Sequence, residues 1–187
     1  YVPLLTLVTC IGYAPLDYRF LLLGGHYRSQ ITFSWPAMDG AKNSRKALNQ
    51  RIAKILEKTD FAKNLDGVKN LKITEESALT ELANFTKALE DDLSTPKALS
   101  ILQTTVKNQN ISDEQKIALI NKMDEVLSLS LLEEGKKILD EQANSSAQNS
   151  ESNPEIEKLI AERAEAKKQK NYARSDEIRD ELKAKGI

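Results

Sequence analysis

At 187 residues the chain is long enough for one good domain or two small ones, and its makeup (29% charged, 5% aromatic, 7 Gly and 5 Pro) suits helices, not a sandwich or barrel. Lys plus Arg number 27 against 28 Asp plus Glu, so the overall charge says nothing about nucleic acid. One cysteine, Cys10, and one histidine, His26, exclude a disulfide framework and a Cys/His zinc site.

The first thirteen residues are apolar, with β-branched side chains and an early Pro. They read equally as a buried strand or a short buried helix. The run over residues 2–11 is too short to span a bilayer and has no basic region before it, so neither a membrane span nor a secretion signal is expected. A free thiol suits a reducing, cytoplasmic compartment. No Met starts the chain, which reads as a piece processed or excised from something longer.

Gly12 ends this run, and Pro15 opens a helix through Tyr18, Phe20, Leu21, Leu22 and Leu23 to Gly24-Gly25. So apolar a helix is expected to be buried on most sides. Ser34 is placed to cap a long helix with Trp35-Pro36 in its first turn. Met38, Ala41, Arg45, Leu48, Ile52, Ile55 and Leu56 fall on one face of it, with Lys42, Lys46, Arg51, Lys54 and Lys58 around the rest. Residues 59–73 form a long polar connection. Thr74 is expected to cap a third helix facing inward through Leu79, Leu82, Phe85 and Leu89. Ser94-Thr95-Pro96 starts a fourth, with Leu99, Leu102 and Val106 inward. The string from Asp91 to Pro96 reads as a firm corner in which acids, a capping hydroxyl and Pro join two helices. Ser112 to Gln115 is a capping box for a fifth helix carrying Ile117, Ile120, Met123, Val126 and Leu127.

Residues 142–153 are polar and of low complexity, and read as a flexible linker. Beyond them Asn153-Pro154 opens a helix with Ile156, Leu159 and Ile160, and Ala173, Ile178 and Leu182 mark a second one closed by Gly186. The expected product is a charged helical hairpin with a thin apolar seam, a surface for touching something.

Nothing in the chain suits covalent catalysis: Cys10 sits in an apolar run, His26 follows Gly-Gly, and no glycine-rich loop could cradle a phosphate. The distribution of charge points to polyanion binding instead. Residues 19–58 hold eight Lys or Arg against two Asp or Glu, whereas residues 59–153 hold ten against seventeen. Within the basic segment Arg28, Lys42, Arg45, Lys46 and Arg51 are the candidate phosphate contacts. In the hairpin Tyr172 offers a ring on which a base could stack, Asp176 an acceptor one turn on, and Lys167 a cation five residues before the ring.

Several strings also carry a resemblance. Gly12-Tyr13-Ala14-Pro15, Arg19 to Leu23, His26-Tyr27-Arg28-Ser29, Phe33-Ser34, Asp91 to Leu99, and in the hairpin Arg163, Ala166-Lys167, Lys170-Asn171-Tyr172, Asp176, Ile178-Arg179-Asp180 and Gly186-Ile187 look like the C-terminal part of bacterial cysteinyl-tRNA synthetases. The alternating stretch from Leu127 to Leu132 falls where that family has a Leu-Gly-Leu closing its bundle. The resemblance covers roughly residues 12–187. It implies an all-α chain: a stem-contacting segment over 1–33, an antiparallel helical bundle of the anticodon-binding type over 34–141, the linker at 142–153, and the terminal hairpin at 154–187. The implied partners are tRNA for cysteine and the catalytic domain of the same synthetase, with no membrane. ATP and zinc are used by full-length relatives upstream of this chain, so no cofactor and no amino-acid activation are expected of it alone. The family's basic, aromatic and acidic anticodon contacts carry over to Lys167, Tyr172 and Asp176, with Tyr in place of the commoner Trp and Lys in place of the commoner Arg. Two other readings remain: a stand-alone helical protein-interaction module, and the tail of a related ligase joining cysteine to a sugar-amine.

Overall fold

Every helix in the basic half starts where local chemistry supplies a start. The computed structural model describes residues 10–150 and residue 162. The chain divides into a unit of residues 1–140 and one of residues 141–187. Among the described residues six α-helices follow in order: α1 (Pro15–Leu23), α2 (Trp35–Glu57), α3 (Glu76–Glu90), α4 (Thr95–Lys107), α5 (Asp113–Leu127) and α6 (Leu131–Ser150). No strand occurs among the described residues, so the fold class is all-α. Apolar residues 1–9 and the hairpin at 154–187, residue 162 apart, lie outside the described residues.

Pro15 opens α1, and the Asp17 carboxylate accepts the backbone N–H of Ala14 at 2.9 Å. Ser34 caps α2, its hydroxyl accepting from the Ala37 N–H at 3.2 Å. The expected apolar face of α2 is found: Met38, Ala41, Leu48, Ile52, Ile55 and Leu56 are all buried. At the middle of the bundle lies α5, which meets α2, α3, α4 and the short 3-10 turn at Val68–Asn70. Its Ile117, Leu119, Ile120 and Met123 have no access to water. Each such side chain contributes on the order of 1.5–3 kcal/mol by leaving water. Gly135 in α6 permits a close approach to α2, since a Cβ there would stand 3.0 Å from Ile52 Cγ2 and 3.2 Å from Leu56 Cδ1.

Several local expectations are corrected. Only Asp17 and Phe20 of α1 are buried, because that helix lays a single face on α2 and leaves Leu22 in solvent. α3 begins at Glu76, not after a Thr74 cap, and it buries Ala78, Phe85 and Ala88 while Leu79 faces water. Val126 is exposed as well. The capping box of α5 is split between two elements. Ser112 accepts from the Gln115 N–H, but the Ser112 N–H is taken by Glu75 and the Gln115 amide oxygen by the Thr74 N–H. The two helix starts therefore cap each other, and hydrogen bonding from the Ser112 side chain, with its backbone N–H second, holds the Glu75 carboxyl below its usual range. Phe20 of α1 joins the core of the same unit as the bundle helices. Backbone helix continues in α6 through residues 142–150, where polar composition alone suggested a linker. Gln142, Ala143, Ala147 and Gln148 there tolerate helix well, and solvation does not fix conformation.

Candidate nucleic-acid interface

The cations of the basic segment divide into those that hold the fold and those that face water. Arg19 Nε donates to the Leu127 carbonyl at 2.7 Å, tying α1 to the end of α5. Arg45 Nε donates to Asp17 Oδ1 at 2.7 Å and its Nη1 to Glu134 Oε2 at 3.2 Å, joining α1, α2 and α6. The Arg45 side chain is 11% exposed and that of Asp17 only 2%. Arg45 is thus an internal strut, and its placing among the phosphate contacts is corrected. Its position on the apolar face of α2 was the signal: a cation at that register meets carboxylates inside, not phosphates outside.

Arg28 is held by a small network and still faces solvent. Its Nε donates to the Tyr27 hydroxyl at 2.7 Å, and that hydroxyl donates to Asp92 Oδ1 at 2.7 Å. Arg28 Nη2 reaches the same oxygen at 3.1 Å, with the guanidinium 5.3 Å from the Tyr27 ring centroid. His26 Nε2 donates to the Asp92 carbonyl at 3.0 Å, while its Nδ1 accepts the Arg28 N–H at 3.3 Å. These two bonds fix the ring tautomer with its proton on Nε2. The Thr95 hydroxyl closes the joint by donating to the Gly25 carbonyl at 3.3 Å. Donation to the Asp92 carboxylate raises the Tyr27 phenol above its ordinary pKa. The Arg28 side chain nonetheless stays 67% exposed, a guanidinium fixed in direction and open to an anion.

The receiving corner, between α3 and α4, is where the string from Asp91 to Pro96 was read as architecture. Ser94 makes no side-chain cap. The corner turns instead through left-handed backbone at Asp92 (φ 55°) and Leu93 (φ 50°). Two strings that looked independent in the sequence, His26-Tyr27-Arg28 and Asp91-Asp92, are therefore one joint in space. Nothing in their spacing signalled the contact. The one available hint was that Asp tolerates left-handed backbone.

On α2, Lys42 and Lys46 lie one turn apart on the flank of the buried face, and both are exposed. Lys42 Nζ donates to the Gly12 carbonyl at 3.2 Å and stands 5.1 Å from the Tyr13 ring centroid. Arg51 is also exposed. Five residues on from Lys46, it sits about 140° around the helix. Lys42 and Lys46 form one group and Arg51 belongs to the outer side. Lys167, Tyr172 and Asp176 fall outside the described residues.

Among the described residues no group of three or more His, Cys, Asp or Glu is arranged to hold a metal, and no helix is long and apolar enough to cross a membrane. An open apolar groove of about 370 Å³ runs between Phe20, Leu21, Ile31 and Ala41, with Thr32 its sole polar side chain. It lacks the convergent polar groups that a small-molecule site requires.

Residues 84–132, which contain both the α3–α4 and the α5–α6 corners, match the family described as DALR domain. Residues 149–187 match the family described as cysteinyl-tRNA ligase anticodon binding domain. The cysteine–tRNA ligase of Treponema denticola is 48% identical over 187 residues, covering 94% of this chain and 37% of that protein. Those of Treponema pallidum and Novosphingobium aromaticivorans are 34% and 31% identical, each again over 94% of the chain. The chain spans 34% to 37% of the length of these relatives. Along nearly all of its length, then, this chain is similar to the C-terminal, anticodon-binding region of the cysteinyl-tRNA synthetases.

Proposed function

We propose that this chain is the tRNA-holding part of a cysteine–tRNA ligase. It binds tRNA for cysteine and fixes that tRNA with respect to the catalytic domain of the same synthetase. The observation that carries the reading is the solvent-facing guanidinium of Arg28, oriented by Tyr27 and Asp92 with most of its surface free. A guanidinium fixed in this way loses little entropy on meeting a phosphate and can donate two parallel bonds to it. Lys42 and Lys46 add a pair of cations within the same net-basic segment. The names of the relatives and of the family over residues 149–187 support the choice of ligand.

The mechanism is positioning. Phosphate contacts from Arg28, Lys42, Lys46 and Arg51 supply affinity that does not depend on sequence. Lys167, Tyr172 and Asp176 supply discrimination, Tyr172 by stacking on an unpaired anticodon base and the other two by bonding to base edges. ATP and zinc chemistry belongs, on this reading, to the catalytic domain.

Filter retention with tRNA for cysteine, run from about 50 to 200 mM salt, tests this directly. Retention should fall with salt along a log–log slope of about −3, the value for three to four neutralised phosphates. Lys167→Ala, Tyr172→Ala and Asp176→Ala should each narrow the preference over other tRNAs. If retention is absent at low salt, the chain is not a tRNA binder. Should the three variants keep full discrimination, the anticodon assignment fails while the phosphate contacts stand.

A further inference from the structure

The start of α2 carries an aromatic ladder that no contact described so far requires. Tyr13 lies over Trp35 with ring centroids 6.1 Å apart and planes inclined by 11°. Phe33 meets Trp35 edge-on at 5.1 Å, and Tyr18 meets Phe33 edge-on at 6.5 Å. Tyr18, Phe33 and Tyr13 are half-buried, whereas Trp35 at the outer end is 39% exposed. Tyr13 and Phe33 thus brace the indole, with Tyr18 behind Phe33, and part of the Trp35 surface is left in water. An indole placed for packing alone would be turned inward, where it contributes most.

The chemistry beside this indole is cationic. Trp35, Asp39, Lys42 and Lys46 fall within about 60° of arc on α2. Lys42 stands about 10 Å and Lys46 about 16 Å along the axis from Trp35, at the helical rise of 1.5 Å per residue. The one acid on the stripe is engaged: the Tyr13 hydroxyl donates to Asp39 Oδ1 at 2.8 Å, which also raises the Tyr13 phenol above its ordinary pKa. A braced ring at one end of a row of ammonium groups fits a ligand that is planar and apolar at one point and anionic along its length. An apolar helix from another protein would have to bury the two lysines, and an acidic peptide would leave the indole wet.

We propose that an unpaired nucleotide of the bound RNA stacks its base against Trp35 while Lys42 and Lys46 neutralise phosphates of the same strand. The inference rests on the RNA-binding reading above and adds to it a base-stacking subsite apart from the anticodon trio. Base-on-ring stacking tolerates any base, so this subsite contributes affinity and register, not sequence choice.

Trp35 is the sole tryptophan of the chain, so its fluorescence reports on the subsite in the unaltered protein. Titration with tRNA should quench it in parallel with filter retention. Heparin, a polyanion without bases, should bind the lysines and leave the emission unchanged. Trp35→Leu should weaken retention by about 5- to 150-fold and Trp35→Phe by less, since a ring remains. Lys42→Ala should make the salt slope shallower by about 0.9. Retention of tRNA with flat emission, and with Trp35→Leu binding as tightly as the parent, overturns the subsite and leaves the RNA-binding reading standing. Equal quenching by heparin also overturns it. Absence of any retention removes both readings together.

Discussion

Two corners of the bundle both turn through left-handed backbone and are secured in opposite ways. Between α5 and α6 the chain turns through left-handed Ser128 (φ 51°) and Ser130 (φ 53°); between α3 and α4 it turns through left-handed Asp92 and Leu93. Each is met by a cation from the N-terminal segment, Arg19 at the first and Arg28 at the second. The α5–α6 corner is closed from within. Asp124 Oδ1 accepts the Leu129 N–H at 2.7 Å and Oδ2 the Leu131 N–H at 2.8 Å, while Leu129 and Leu131 are wholly buried. At the α3–α4 corner the carboxylates face water instead: Asp91 Oδ2 accepts from Lys97 Nζ of α4 at 2.9 Å, and Asp92 is met by His26, Tyr27 and Arg28 from outside. The lesson is where the polar atoms go. An inward carboxylate makes a corner part of the scaffold, whereas an outward one makes it a mount for a cation that other molecules can reach.

Removing the inward carboxylate is the largest expected break in this comparison. Asp124→Ala leaves two buried amides without acceptors and should cost about 2–4 kcal/mol. Thermal melting should show it as a loss on the order of 5–15 °C. The pH dependence sharpens the point. Burial, outweighing the Leu131 and Leu129 amide bonds, raises the Asp124 pKa above its unfolded value. The folded state then holds more protons than the unfolded one as pH climbs from the ordinary Asp value of 3.8 to the folded value. Stability contributed by Asp124 is therefore full below that window and declines as pH rises through it. Urea midpoints of the parent and of Asp124→Asn, compared across the window, should move against the parent as pH rises. Movement the other way would mean that the two amides outweigh burial.

The outer corner should respond in binding more than in stability. Tyr27→Phe keeps the ring under Arg28 but removes the hydroxyl that links Arg28 Nε to Asp92. It changes no charge, so tRNA retention should weaken by about 2- to 10-fold with the salt slope unaltered. Arg28→Ala should instead make the slope shallower by about 0.9. Both should melt within about 1 kcal/mol of the parent, because the pair is solvent-screened. If Tyr27→Phe alters the slope as well, Tyr27 does more than orient its neighbour.

The helix starts were legible because Pro15, Ser34, Pro96 and Ser112 announce themselves by backbone chemistry that needs no distant partner. The long apolar face of α2 was legible for the same reason, since its period is intrinsic to a helix. What could not be read was which neighbour each face meets. Leu79 and Val126 fit the inward period of α3 and α5, yet no opposing element covers them. Arg45, inside α2, is a strut, whereas Arg28, in the turn before that helix, faces solvent. The strings around His26 and Asp92 were each visible, but their joining across 65 residues depends on the left-handed turn at Asp92, which no local pattern encodes. The anticodon trio was read from resemblance and spacing, and retention by its alanine variants remains the direct measure of it.

The smallest effect tests the outer corner alone. Leu93 adopts φ 50° with its side chain 59% exposed, so it bears the left-handed penalty of about 1–2 kcal/mol with little burial in return. Glycine at this position removes that penalty but adds about 0.4–1 kcal/mol of freedom to the unfolded chain. The balance favours Leu93→Gly by about 0.5–1 kcal/mol. Its backbone bonds, from the Leu93 N–H to Leu89 O at 3.0 Å and from the Thr95 N–H to Leu93 O at 2.7 Å, are kept by any residue. Asp92 should therefore stay in place and tRNA retention should not change. Urea midpoints measure the first expectation and filter retention the second. A loss of stability would show that the exposed leucine shields apolar surface, and that this corner is not held by polar bonds alone.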